Sequence, residues 1–146
     1  MKKILALILA LVMALSLVAC GGNKAAEADG GYKVAMITDY GDITDQSFNQ
    51  TTYEACKAFA EANKVDFTYF KPAGDSDAER VAMIEKAVDE GYNVIVMPGF
   101  AFANAIATAA PQYTDVKFIA LDVAEFDLQS AGLTAETMKN VYSAVY

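Results

Sequence analysis

Between Asp39 and Asn49 the chain reads Asp-Tyr-Gly-Asp-Ile-Thr-Asp-Gln-Ser-Phe-Asn, which sets three carboxylates, a serine, two amides and one phenylalanine in eleven residues. Carboxylates such as Asp39 and Asp45 accept hydrogen bonds from ligand hydroxyls, and a vicinal diol gives one carboxylate two charge-assisted bonds. An aromatic ring such as Phe48 stacks on a planar heterocycle, a contact worth about 1–3 kcal/mol for a nucleobase. Ser47 and Asn49 supply further polar contacts. Two other places carry the same kinds of group: Gly99 with Phe100 and Phe102, and the lone carboxylate Asp122. The sequence contains no histidine, so His-based triads, His general bases and the commonest zinc ligand are all absent.

All three places fall where a strand should run out. Lys33–Thr38 is a short, continuously apolar run of the kind that forms a buried parallel strand. Ser47–Asn63 follows with helical spacing of Phe48, Thr52, Ala55, Cys56 and Phe59, and Asp45 or Ser47 is placed to cap it. Val65–Phe70 alternates as a strand and ends at Pro72 and Gly74. Asp75-Ser-Asp opens a helix from Ala78 to about Glu90, with Gly91 as its C-terminal cap. Asn93–Met97 is a third strand stopped by Pro98-Gly99, Phe100–Ala110 a small-residue helix broken at Pro111, and Val116–Leu121 a fourth strand ending on Asp122. Phe126–Thr137 reads as a loop, and Asn140–Tyr146 as a fifth strand. Strands alternating with helices predict an α/β fold with a doubly wound parallel sheet, in which ligands collect outside the carboxyl ends of strands.

The N-terminal segment has a different composition. Lys2 and Lys3 precede an apolar run from Ile4 to Ala19 broken only by Ser16, shorter than the ~20 residues of a spanning helix. A basic start and a short apolar core describe a secretory signal over residues 1–19. Leu17-Val-Ala-Cys20 resembles a bacterial lipobox, which implies cleavage before Cys20 and lipidation of its sulfur. Residues 20–31, rich in Gly and Ala, read as a flexible tether. Residues 32–146 then form one α/β lobe. The chain carries a net charge of −8, and loss of Lys2 and Lys3 takes it to −10, a surface that repels nucleic acid and anionic headgroups. Cys56, on the stripe of the first helix, reads as a buried small hydrophobe.

Gly41-Asp-Ile-Thr-Asp-Gln-Ser-Phe-Asn49, Val94-Ile-Val-Met-Pro-Gly-Phe100, Asp115-Val-Lys-Phe-Ile-Ala-Leu-Asp122 and Asn140-Val-Tyr-Ser-Ala-Val-Tyr146 resemble the basic membrane protein family, substrate-binding lipoproteins of nucleoside ABC importers. The resemblance runs from about Lys33 to the last residue. It implies a periplasmic-binding-protein-like clamshell of type I, of which this chain is the first lobe and lacks the second. It further implies a purine nucleoside ligand, an ABC permease and its ATPase as partners, no cofactor, and a place on the extracytoplasmic face of a bacterial membrane, held there by lipid. Carried over by position, Asp39 and Asn49 lie near the nucleoside, Phe48 stacks on the base and Asp122 holds the ribose hydroxyls. Asp45 and Ser47 support the loop or touch the ligand, and Gly99 and Phe100 border the cleft.

Each of these residues also has a plainer role open to it. Phe48 fits a helix-core stripe, Asp45 and Ser47 fit N-caps, and Phe100 and Phe102 fit helix packing. Asp39 and Asp122 have no such explanation, since neither starts a helix. Three other functions remain: a sugar receptor of the same architecture, a sensory lipoprotein, and a calcium-dependent nucleoside hydrolase, whose acidic N-terminal loop Thr38–Asp45 superficially resembles. The hydrolase requires closely grouped carboxylates around a hard cation, whereas Asp39, Asp42 and Asp45 are spaced by threes with no adjacent pair.

Overall fold

The computed structural model describes residues 31–145; the signal segment 1–19, Cys20 and the tether as far as Gly30 lie outside the described residues. Five strands, β1 (Lys33–Ile37), β2 (Asp66–Phe70), β3 (Val94–Pro98), β4 (Lys117–Leu121) and β5 (Val141–Ala144), form one sheet in the order β2-β1-β3-β4-β5. Every pairing is parallel. Between the strands run α1 (Phe48–Asn63), α2 (Asp77–Asp89), a 3₁₀ turn (Phe100–Phe102) leading into α3 (Ala103–Ala109), and α4 (Glu125–Ser130). The expected doubly wound α/β architecture is therefore present, fifth strand included.

The central strands carry β-branched and apolar side chains on both faces, because both faces are to be covered. One face, with Ala35, Ile37, Ile95, Met97, Phe118 and Ala120, packs with Ile84, Phe102, Ile106 and Leu128 from the 3₁₀ turn and α2 to α4 into the main core. The other face, with Val34 and Val96, meets Cys56 of α1. On that side Val94, Ile119 and Leu121 are only partly buried and line an open apolar groove of about 430 Å³ together with Phe48, Cys56 and Phe59.

Three readings are corrected. The buried stripe of α1 is Asn49, Thr52, Cys56 and Ala60; Phe59 is 53 % exposed. The small side chains let the helix lie close to the sheet, and Phe59 lines the groove instead of the helix–sheet contact. Residues 126–137 are not all loop. Asp127 at the third position of α4 accepts the Ala124 N–H at 2.9 Å, and this one-sided cap with buried Leu128 sustains a helix too short to show periodicity. Finally, the helix after β3 opens with a separate 3₁₀ turn, whose Phe102 is fully buried while Phe100 is 73 % exposed.

Candidate functional site

A topological switch point follows from the strand order. The chain leaves β1 toward β2 on one side and reaches β3 on the other, so the loops after β1 and β3 diverge and leave a crevice between them. The loop after β4 lies next along the same edge. Two inter-strand spacings separate β1 from β4, a span of about 10 Å.

The β1–α1 loop is built around Asp39. Thr38 still belongs to the sheet, its N–H bonded to Phe70 O at 3.0 Å, and its buried Oγ1 has no hydrogen-bond partner among the described residues. Asp39 Oδ1 then accepts from Tyr40 N and Gly41 N, each at 2.6 Å, and from Asn49 Nδ2 at 2.9 Å. Asp39 Oδ2 accepts no hydrogen bond from the described residues. Partial burial pushes this carboxyl up, but the Gly41 N–H, the Asn49 amide, the Tyr40 N–H and the charge of Arg80 together outweigh it and hold the group below its ordinary value of 3.8.

Asp45 acts as the cap of α1. Its Oδ1 accepts from Ser47 N at 2.8 Å and Gln50 N at 3.1 Å, and its Oδ2 from Asn49 Nδ2 at 2.9 Å. Ser47 occupies the N-cap position without a side-chain capping bond; its carbonyl accepts from Thr51 Oγ1. Asp42 turns away, with Oδ1 on Thr44 and Oδ2 paired to Lys71 at 3.2 Å. Asp39 and Asp45 thus share the Asn49 amide while Asp42 holds Thr44 and Lys71, and among the described residues no group of three or more Cys, Asp or Glu converges as a metal cage. Phe48 is half-buried and lines the apolar groove on the α1 side of the sheet.

At the end of β3, Gly99 has φ 115° and ψ 144°, a conformation open to glycine alone. Its N–H donates to Leu121 O at 2.8 Å, which ties the β3 and β4 exits together and aims Phe100 into solvent. Asp122 has φ 59°, the left-handed region that Asp tolerates better than most residues. Its N–H donates to Ala144 O, while its exposed carboxylate has no hydrogen bond or ion pair among the described residues. Gln46 and Lys64, the latter at the C-cap of α1, adopt the same left-handed backbone. Among the predicted site residues, Asp39, Asp45 and Asn49 therefore form one bonded unit, Gly99, Phe100 and Asp122 follow the ends of the adjoining strands β3 and β4, and Phe48 lies on the α1 side.

Arg80 is the site neighbour that sequence reasoning missed. Only 3 % exposed, it pairs with Asp75 and, at 3.4 Å, with Asp77, and its guanidinium lies over the Phe102 ring. Asn104 extends the network to Asp77 at 2.9 Å. A signal was available: this is the single arginine in a chain with ten lysines, and arginine is the cation suited to burial with carboxylates and aromatic faces.

The pH dependence of folding follows from the lowered carboxyls. Asp39 and Asp45 bind fewer protons folded than unfolded, so their contribution is complete above the unfolded value near 3.8 and is lost as pH falls through the lower folded values. Urea midpoints measured from about pH 6 to about pH 2.5 should hold steady and then drop below about pH 4. A flat profile across that window would contradict the hydrogen-bond assignments.

An open α/β sheet with polar loops at its switch point is an architecture in which ligands collect at the carboxyl edge, and comparison with known proteins gives the family. A family model described as "ABC transporter substrate-binding protein PnrA-like" matches residues 32–146, and the chain belongs to that family. A CD4+ T-cell-stimulating antigen of Listeria innocua is 29% identical over 134 residues, covering 83% of this chain and 37% of that protein. The ABC transporter nucleoside-binding protein BmpA of Lactococcus lactis is 25% identical over 130 residues, covering 83% and 36%. A solved ABC solute-binding protein from Aeropyrum pernix superposes with a TM-score of 0.62 at 28% identity, covering 77% of this chain and 28% of that one. The chain thus spans little more than a third of the length of these curated relatives.

Proposed function

We propose that the described lobe is one wall of a nucleoside-binding cleft in a substrate-binding lipoprotein that serves an ABC importer. The observation that carries this reading is the pair of carboxylates at the switch-point edge. Among the described residues, Asp39 keeps one oxygen unbonded and Asp122 its whole carboxylate, in a family that includes a nucleoside-binding relative. Asp122 takes the ribose diol, Asp39 accepts an N–H or O–H from the ligand, and Phe48 stacks on the base. Gly99 and Phe100 border the opening. A second lobe supplies the opposite wall, and ligand stabilises the closed form that the permease and its ATPase recognise.

The protein is a receptor rather than an enzyme in this account. Asp45 and Ser47 serve the loop and α1, since both Asp45 oxygens are already bonded. Residues 1–19 are the signal, Cys20 carries lipid on the extracytoplasmic face, and residues 20–31 are the tether. Changing Cys20→Ser should release the protein from the membrane fraction, and retention there would contradict the anchor. The ligand class is tested by thermal shift of the native mature protein against purine and pyrimidine nucleosides, pentoses and hexoses. Purine nucleosides should raise the melting temperature most; a response to sugars alone would replace this reading with a sugar receptor.

A further inference from the structure

Asn49 resembles a ligand contact in sequence, but its side chain has no free donor to offer. It is 4 % exposed. Its two amide hydrogens go to Asp39 Oδ1 and Asp45 Oδ2, both at 2.9 Å, and its own oxygen accepts the Asp39 N–H at 3.3 Å. A primary amide has two donors, and both are used on carboxylates ten and four residues away in the chain. We propose that Asn49 is a positioning residue, an amide clamp that locks the Asp39 carboxylate with Oδ1 turned inward and Oδ2 presented to the crevice.

Gly41 is the other half of the device. A Cβ built there would lie 2.5 Å from Asn49 Nδ2 and 3.1 Å from Asp39 Oδ1. The loop backbone therefore passes against the clamp at a distance that only hydrogen allows. With the Tyr40 and Gly41 N–H groups, the amide brings three donors onto one carboxylate oxygen, which fixes rotation of the carboxylate about its Cβ–Cγ bond. Without the amide, Asp39 and Asp45 would face each other across the space it fills, and like charges at close range favour protonation of one.

The charged groups around Asp39 come from several elements. Asp45 shares its loop, Arg80 reaches it electrostatically from α2 while paired to Asp75 and Asp77, and Asp42 is occupied with Lys71 at the loop tip. Replacing Asn49 or Gly41 leaves Arg80 and Asp42 with their own partners, whereas Asp45 loses its bond from the Asn49 amide together with Asp39. The clamp rests on the nucleoside reading only for what Oδ2 meets; its geometry stands without ligand.

The test is a carbon-detected NMR titration of the aspartate carboxyls in the ligand-free full chain, comparing wild type with Asn49→Leu, Asn49→Ala and Gly41→Ala. Leucine keeps the buried volume and removes only the hydrogen bonds, so it separates packing from the clamp. In Asn49→Leu and Gly41→Ala the Asp39 titration should move upward from wild type, while Asp42, which does not touch Asn49, stays where it is. Asn49→Ala should show the same direction with a larger loss of stability. An unchanged Asp39 titration in a folded Asn49→Leu variant would overturn the proposal and leave Asn49 as packing alone. Because no ligand is present, failure of the nucleoside reading would register in the thermal-shift panel and not here.

Discussion

Replacing Phe102 with alanine destabilises the lobe by about 3–5 kcal/mol, the range for a fully buried phenylalanine whose cavity collapses only in part. Phe102 is the last residue of the 3₁₀ turn and has no exposed surface. It packs in the main core with Ile106, Val123 and Leu128, so the loss begins as apolar burial. Arg80 makes it worse. The guanidinium lies 5.7 Å from the ring centroid, and its Nε already lacks a hydrogen-bond partner among the described residues. Removing the ring takes away the contact that shields a buried cation. Phe102→Leu restores part of the volume and should cost roughly 1–2 kcal/mol. Urea unfolding reads both variants, and a loss under about 1 kcal/mol for alanine would show that the turn repacks freely.

The second large effect is on binding. Under the proposed function, Asp122→Asn lowers nucleoside affinity on the order of 100-fold, since two charge-assisted bonds to a diol are replaced by at most one neutral acceptor. Asparagine is the informative substitution because it also tolerates the left-handed backbone found at φ 59°. Stability should therefore stay within about 0.5 kcal/mol. Asp122→Ala removes the charge as well but adds backbone strain, so the two variants together separate ligand recognition from folding. Calorimetric affinity within twofold of wild type for Asp122→Asn would remove the ribose role.

The strands β1, β3 and β4 were readable because each is a short apolar run closed nearby by a glycine, proline or aspartate, as a parallel sheet covered on both faces requires; β2 and β5, at the sheet edges, showed alternation instead. The carboxyl-edge positions of Asp39, Gly99 and Asp122 followed directly from the strand ends. The face of α1 was harder. Large aromatics dominate a periodicity argument, yet Asn49, Thr52, Cys56 and Ala60 are what the sheet admits, and Phe59 is displaced outward. Helix α4 has six residues and one buried side chain, Leu128, too little for a pattern to register. The long-range pairings were not legible at all. Asn49 bonds across ten residues to Asp39 within the folded β1–α1 loop, and Arg80 lies over a ring 22 positions later; neither contact follows from local periodicity.

The free Oδ2 of Asp39, whose Oδ1 is pinned, and the carboxylate of Asp122, unpaired among the described residues, carry the central proposal that this edge reads a base and a ribose together. The direct measurement is a pair of calorimetric titrations of the native mature protein, one with inosine and one with its 2′,3′-dideoxy analogue. Inosine should bind, and loss of the diol should weaken binding by at least about tenfold, as expected when charge-assisted bonds are left unmade. Equal affinity for the two ligands, or no binding of inosine by a protein that binds a free pentose, would contradict it.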